Sequence, residues 1–272
     1  MNYKLSKIKY GTGKTSVITN LSIPDSQTVN DICYIEGVGI AFIYGNQLGL
    51  ADFSGKVDYS FISNLNKPLS LFYSEQSHRC YIFENGGRSL RYFTRGFDYL
   101  MPFLGDEYSR LMKKDLRMLT DDIETIVRGC VDYYEEIYAT HNFLNRCIRF
   151  RGSEYSYFAG NGKYGEIVSS ELLSSNFSGP QGISFLNGEL YVSDTGNNCI
   201  KKILKGKMDM FLNNVKMPSK MVAKNKLIYF ISNTVNICYL SLDKSSNCIF
   251  SSNNLVSIDM DNNKNLFILE KE

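Results

Sequence analysis

Residues 179–203, GPQGISFLNGELYVSDTGNNCIKKI, decide how the rest of this chain is read. They hold a short apolar strand (182–185), a tight Leu186-Asn187-Gly188 turn, a second strand (189–193), a polar turn (194–198) and the start of a third strand (199–204). One such antiparallel unit cannot bury its own faces, so further copies are required. Residues 129–150 lie on 182–203 without a gap, setting Tyr138 on Tyr191, Asn145 on Asn198 and Arg149 on Lys202. Residues 81–93 fall on 191–203 in the same way and keep the glycine (Gly86 on Gly196) and the basic residue (Arg91 on Lys201).

The remaining copies follow by spacing. Asp31 opens a complete four-strand meander, with strands at 32–35, 39–44, 48–53 and 57–62. Pro68, which aligns with Pro180, opens the next, whose fourth strand is expected at 97–103. A copy starting at Pro218 sets Tyr229 on Tyr191 and Asn236 on Asn198, and a last one starting at Ser257 stops after two strands. The opening strands, 4–10 and 15–21, have the look of the third and fourth strands that this last copy lacks.

The expected fold is therefore all-β: a single domain over 1–272 forming a six-bladed β-propeller of four-stranded antiparallel blades. The blades fall at about 29–66, 67–105, 126–160, 179–215, 216–252, and 253–272 joined to 1–28. Units of about 45 residues suit a propeller blade, and closure of the ring by the N-terminal strands removes the exposed edges of an open sheet. Two connections are longer than the rest: 105–126, whose Leu111, Met112, Leu116 and Leu119 predict a short amphipathic helix, and 160–178.

The residues Gly179-Pro180-x-Gly182-Ile183 and Leu190-Tyr191-Val192-x-Asp194-Thr195-Gly196-Asn197-Asn198-x-Ile200-Lys201-Lys202-Ile203 resemble the NHL repeat, with Phe158-Ala159-Gly160-Asn161-Gly162 matching the strand that commonly precedes it. The likeness is specific in that unit and weaker elsewhere. The Asp194 position becomes His141, Glu84 and Ser232 in other copies. The resemblance implies a six-bladed propeller. NHL-like and related propellers include lyases and hydrolases with a metal on the central axis, and others that bind RNA.

Bulk properties narrow the function. The 272 residues are 43% hydrophobic and 21% charged, the balance of a globular protein, and the net charge of +2 is too small to argue by itself for a polyanionic partner, which leaves nucleic acid as an alternative. No apolar run reaches the roughly 18 residues that cross a bilayer, and the first residues lack a signal peptide's apolar core. The seven cysteines form no CxxC pair and read as small buried side chains in a reducing compartment, so a cytoplasmic location is expected. The GTGKTS run at 11–16 is a hairpin turn, because a phosphate loop needs glycine where Ile8 stands.

In a meander, crossovers between blades emerge on the same rim as second-to-third turns. That rim gathers both long connections, and loops on a rigid scaffold carry function. The candidate binding face comprises Arg110, Lys113, Lys114, His141, Phe143, Tyr164, Asp194 and Asn197. The positions around Gln181 in each copy approach the central channel and bring Asp31, Arg128, Gln181 and Lys220 to it. Two histidines and one axial carboxylate predict no metal ligand set, no cofactor and no nucleophile–base–orienter triad, although an axial metal ion would suit the enzyme alternative. The expected role is a non-enzymatic protein–protein interaction module, a scaffold or subunit of an intracellular assembly. The alternatives are a lyase or hydrolase with an axial metal, and an RNA-binding propeller. Against the latter, the basic residues Arg146, Arg149, Arg151, Lys201, Lys202, Lys205 and Lys207 read as solvated outer strands, and the aromatics as core.

Overall fold

A computed structural model describes residues 1–94, 100–103, 127–152, 154–240 and 246–272. The helix expected at 105–126, with Arg110, Lys113 and Lys114, lies outside the described residues, as do 97–99 of the expected fourth strand of the second blade.

Twenty-four strands among the described residues form six four-stranded antiparallel sheets. β1 (Asn2–Ile8) and β2 (Thr15–Ser22) open the chain. The first blade is β3–β6 (Val29–Ile35, Gly39–Tyr44, Gln47–Ala51, Val57–Ile62) and the second β7–β10 (Pro68–Ser74, Arg79–Glu84, Ser89–Thr94, Met101–Pro102). The third is β11–β14 (Val127–Val131, Ile137–His141, Arg146–Arg151, Glu154–Ala159), and the fourth is β15–β18 (Gly182–Leu186, Glu189–Asp194, Cys199–Leu204, Lys207–Leu212). The fifth is β19–β22 (Pro218–Lys224, Leu227–Ser232, Asn236–Leu240, Ser246–Ser251). β23 (Leu255–Met260) and β24 (Leu266–Lys271) are completed by β1 and β2, with Leu5 opposite Leu269. Each first strand contacts the first strand of the next blade, and β23 contacts β3, so the ring is closed around an axis lined by first strands.

Burial follows distance from that axis. The second strand of each blade lies inside its sheet and between neighbouring blades, so it is apolar on both faces: β4 (GIAFIY) is buried throughout. The outer β6 (VDYSFI) instead alternates between half-buried and exposed over its first four residues, because only one face packs. Tyr191 and its counterparts Tyr81, Tyr138, Tyr229 and Phe267 are all buried. Tyr191 packs with Met221, Ile228 and Phe230 of the next blade, so the recurrent aromatic cements blade to blade.

A second device clasps the crossovers. Asn46, Asn145 and Asn198, at second-to-third turns, accept the N–H of Lys67 (3.2 Å), Gly179 (2.8 Å) and Met217 (2.9 Å). Each of those three residues has positive φ (47°, 57° and 41°) and immediately precedes the proline that opens the next blade. Lys67 and Met217 hold this left-handed conformation without being glycine, which costs each about 1–2 kcal/mol, and the asparagine hydrogen bond helps to offset it. Asn145 and Asn198 are themselves left-handed, a conformation asparagine tolerates.

One cysteine expectation is corrected. Cys238 and Cys248 are bonded to each other, because antiparallel pairing of β21 with β22 sets them directly opposite. Cys33, Cys80, Cys147 and Cys199 are buried free thiols, and Cys130 is half-buried. With one pair bonded, the cysteines do not mark a reducing compartment. No helix among the described residues is long and apolar enough to cross a membrane.

The clasp is testable with two variants at one turn. Asn198→Ala loses both the hydrogen bond and the tolerance of positive φ and should lower unfolding free energy by about 2 kcal/mol. Asn198→Gly keeps the conformation and should lose about 1 kcal/mol. Urea denaturation measures both: an Asn198→Gly variant as stable as the parent would show that the hydrogen bond to Met217 contributes nothing, and equal losses in the two variants would show that the left-handed backbone costs alanine nothing extra.

Candidate functional site

Asp31 stands at the axis, fully buried. Its Oδ1 accepts from Ser257 Oγ of the sixth blade (2.7 Å), from the Ile32 N–H (3.0 Å) and from the Lys220 ammonium of the fifth blade. Its Oδ2 accepts the Leu71 N–H of the second blade (3.0 Å) and lies 3.2 Å from Arg128 Nη1 of the third. Lys220 also donates to Ile32 O (2.8 Å) and to Ser257 Oγ (3.1 Å). The structure thus brings Asp31, Arg128 and Lys220 together. Gln181 stays outside the cluster, just ahead of β15, with its N–H donated to Ser193 O (3.1 Å). Ser257, which opens the last copy and was not among the residues expected at the channel, supplies the hydroxyl of the cluster.

Electrostatics explain why the cluster is tolerated. Burial works against the charge of Asp31, but Lys220 and Arg128 outweigh it and hold its carboxyl below the ordinary carboxylate range. Asp194 is the contrasting case. It is also fully buried and lies 2.7 Å from a buried ammonium, Lys201, yet burial dominates and lifts its carboxyl above the usual value. Two cations against one decide the sign.

The same comparison relocates several residues expected on the crossover rim. Asp194 accepts the Ser178 N–H (2.7 Å), pinning the incoming crossover. Glu84, paired with Arg91 (2.5 Å), accepts the Asn66 N–H (2.9 Å) at the equivalent place, and Ser232 donates to Lys216 O (2.7 Å). Asp194 and His141 therefore face into the blades rather than presenting a surface, and both are fully buried. Lys201 is likewise no solvated outer-strand lysine: the acid opposite draws it inside. Asn197 ties Asp194 to Gly165 O, each at 2.7 Å. Phe143 is half-buried in a cavity of about 330 Å³ with Leu144, Arg146 and Tyr157, while Tyr164 is 71% exposed. Among the described residues of this rim, His141, Phe143, Tyr164, Asp194 and Asn197 do not converge on one site.

The larger space lies at the other end of the axis. A throat of about 130 Å³, lined by Tyr34, Leu71, Gly129, Ile183 and Lys220, leads away from the ion cluster. It opens into a funnel of about 630 Å³ framed by first-to-second turns, with Tyr73, Glu75, Tyr133, Glu135, Phe185 and Lys224 among its walls. Tyr133 and Phe185 meet edge to face (4.9 Å between centroids), and Tyr133 and Tyr134 are 60% and 85% exposed at the rim. Lys224 binds Glu75 (2.7 Å) and lies over the Tyr34 ring (5.1 Å). Burial would lower its pKa, but Asp259 and Glu75 prevail and raise it, so Lys224 stays charged. Asp259 is held by the Tyr34 and Met260 N–H groups (2.6 and 2.8 Å).

The axial residues do not fit a divalent cation. The position such an ion would take against Asp31 is filled by an ammonium and a guanidinium, and no three His, Cys, Asp or Glu side chains converge among the described residues.

The cluster has a pH signature. Because the folded pKa of Asp31 lies below its unfolded value of about 3.9, its stabilisation is fully present above that value and is lost as pH falls through the folded pKa. Lys220→Met should cost about 3–5 kcal/mol at neutral pH by leaving buried charge unbalanced, and should shrink the loss on acidification. Urea unfolding between pH 6 and the acid limit measures both, and a variant as stable as the parent would refute the assignment.

Comparison with known proteins comes out at the level of architecture. No curated protein matches the sequence. Among solved structures, a streptogramin B lyase is 14% identical with 99% of this chain and 98% of that chain covered (TM-score 0.60), and a chain of a nidogen/laminin complex is 12% identical with the same coverage (TM-score 0.66). The gluconolactonase XC5397 from Xanthomonas campestris is 13% identical over 89% of this chain and 85% of its own (TM-score 0.64). At such identities the likeness is one of fold. Residues 177–203 match the model of the NHL repeat. The chain is a six-bladed β-propeller that carries an NHL repeat in its fourth blade.

Proposed function

We infer that this protein is a non-enzymatic binding module, a subunit of a larger assembly, which engages another protein at the mouth of the axial funnel. One observation carries the reading. The axial carboxylate, the group that a propeller lyase or hydrolase would use as base or metal ligand, is already committed to Lys220, Arg128 and Ser257, while the open space beyond it is walled by aromatic, amide and charged side chains. The exposed tyrosines at the rim supply the large, rigid contact area that protein interfaces favour.

The funnel draws the proposed contact away from the crossover rim, where loop length alone had put it. Five blades contribute turns to the funnel, so a partner there touches a rigid frame rather than a single loop.

A photo-crosslinking amino acid separates the two faces. Placed at Tyr133 it should yield covalent adducts with a partner protein in cells, and placed at Tyr164 it should yield none. Adducts at position 164 alone would return the contact to the crossover rim.

A further inference from the structure

We propose that the funnel receives the ammonium group of a lysine side chain presented by an extended segment of the partner protein. This rests on the reading of the funnel as the binding site and adds the chemistry of what enters it. Four carboxylates border the throat and funnel, and three are already engaged. Asp132 accepts the Tyr134 and Glu136 N–H groups of its own turn (2.8 and 3.0 Å), Asp259 is held by two backbone N–H groups, and Glu75 binds Lys224. Glu135 is different: Oε1 accepts from Ser74 Oγ, while Oε2 is shut away from solvent with no hydrogen-bond partner. The Arg79 guanidinium feels the charge of Glu135 but lies over the Tyr92 ring, 4.6 Å from its centroid, and leaves that oxygen without a donor.

A buried carboxylate oxygen without a donor is costly, and a cation that supplies one is selected for. The terminal torsion of a glutamate is soft, so a small rotation turns Oε2 towards the funnel that Glu135 lines. The funnel already shows how it holds an ammonium: Lys224 is gripped by a carboxylate and covered by an aromatic face. Tyr133 and Phe185 offer the same kind of wall for a second one. Lysine is favoured over arginine because Ser74 occupies one oxygen, which leaves a single acceptor, whereas a guanidinium fork is best met by two. The side-chain amides of Asn187, Asn225 and Asn262 line the mouth and suit the backbone of an extended peptide.

The test is selection of short random peptides displayed on phage against the intact protein. Enriched peptides should share one lysine at a fixed position, and replacing it with norleucine should weaken binding roughly tenfold to hundredfold. Arginine at that position should bind less well than lysine. Glu135→Gln, which keeps the shape, should cause a comparable loss, whereas Phe143→Ala on the opposite face should cause none. The norleucine comparison needs no protein variant, so it holds even if Glu135→Gln misfolds. Peptides that lose binding on Tyr133→Ala but carry no fixed lysine, or prefer arginine, would overturn this proposal and leave the funnel as the binding site. No enrichment, or binding indifferent to Tyr133→Ala, would overturn both.

Discussion

Asp31 is the point on which five of the six blades converge. Its own strand, the Leu71 N–H, Arg128, Lys220 and Ser257 all address one carboxylate, so the inner strands of the first, second, third, fifth and sixth blades share a single electrostatic tie. Such a group survives burial only when its charge is matched and its lone pairs are occupied. Both conditions hold, and they make the axis a closed structural element. The chemistry open to a ligand is thereby displaced along the axis, past the throat, into the funnel.

The blades vary around a constant mechanical need. Each crossover must be secured to the blade it leaves and the blade it enters. Asparagine at the second-to-third turn performs the first task, and the residue at the end of the second strand performs the second with whatever polar group it has: Asp194, Glu84 or Ser232. Variation at the Asp194 position is therefore a set of alternative fastenings of similar geometry. Where the acid is present, a cation follows on the facing strand, Lys201 for Asp194 and Arg91 for Glu84, because a buried carboxylate needs one.

Most of this scaffold was legible in residue order. Spacing of Tyr191 and its counterparts located the blades, the missing strands of the last copy located the closure, and alignment of positions near Gln181 brought Asp31, Arg128 and Lys220 to the axis. Other features depend on directions that a linear pattern does not carry. A DTGNN turn looks like a presented loop, yet Asp194 points inward to Lys201. The funnel arises from short turns of five blades, none distinctive alone, whose side chains meet only after the ring closes. The Cys238–Cys248 bond needed the register of β21 against β22, which a repeat alignment leaves open by one residue.

The most direct measurement is the unfolding free energy of Asp31→Asn at neutral pH. If the carboxylate is the structural tie of the ring, its neutralisation strands Lys220 and Arg128 in a buried site and stability falls by about 3–5 kcal/mol. A stability equal to or above that of the parent would contradict the account, since that is the behaviour of a charged group held in place for chemistry at the expense of the fold.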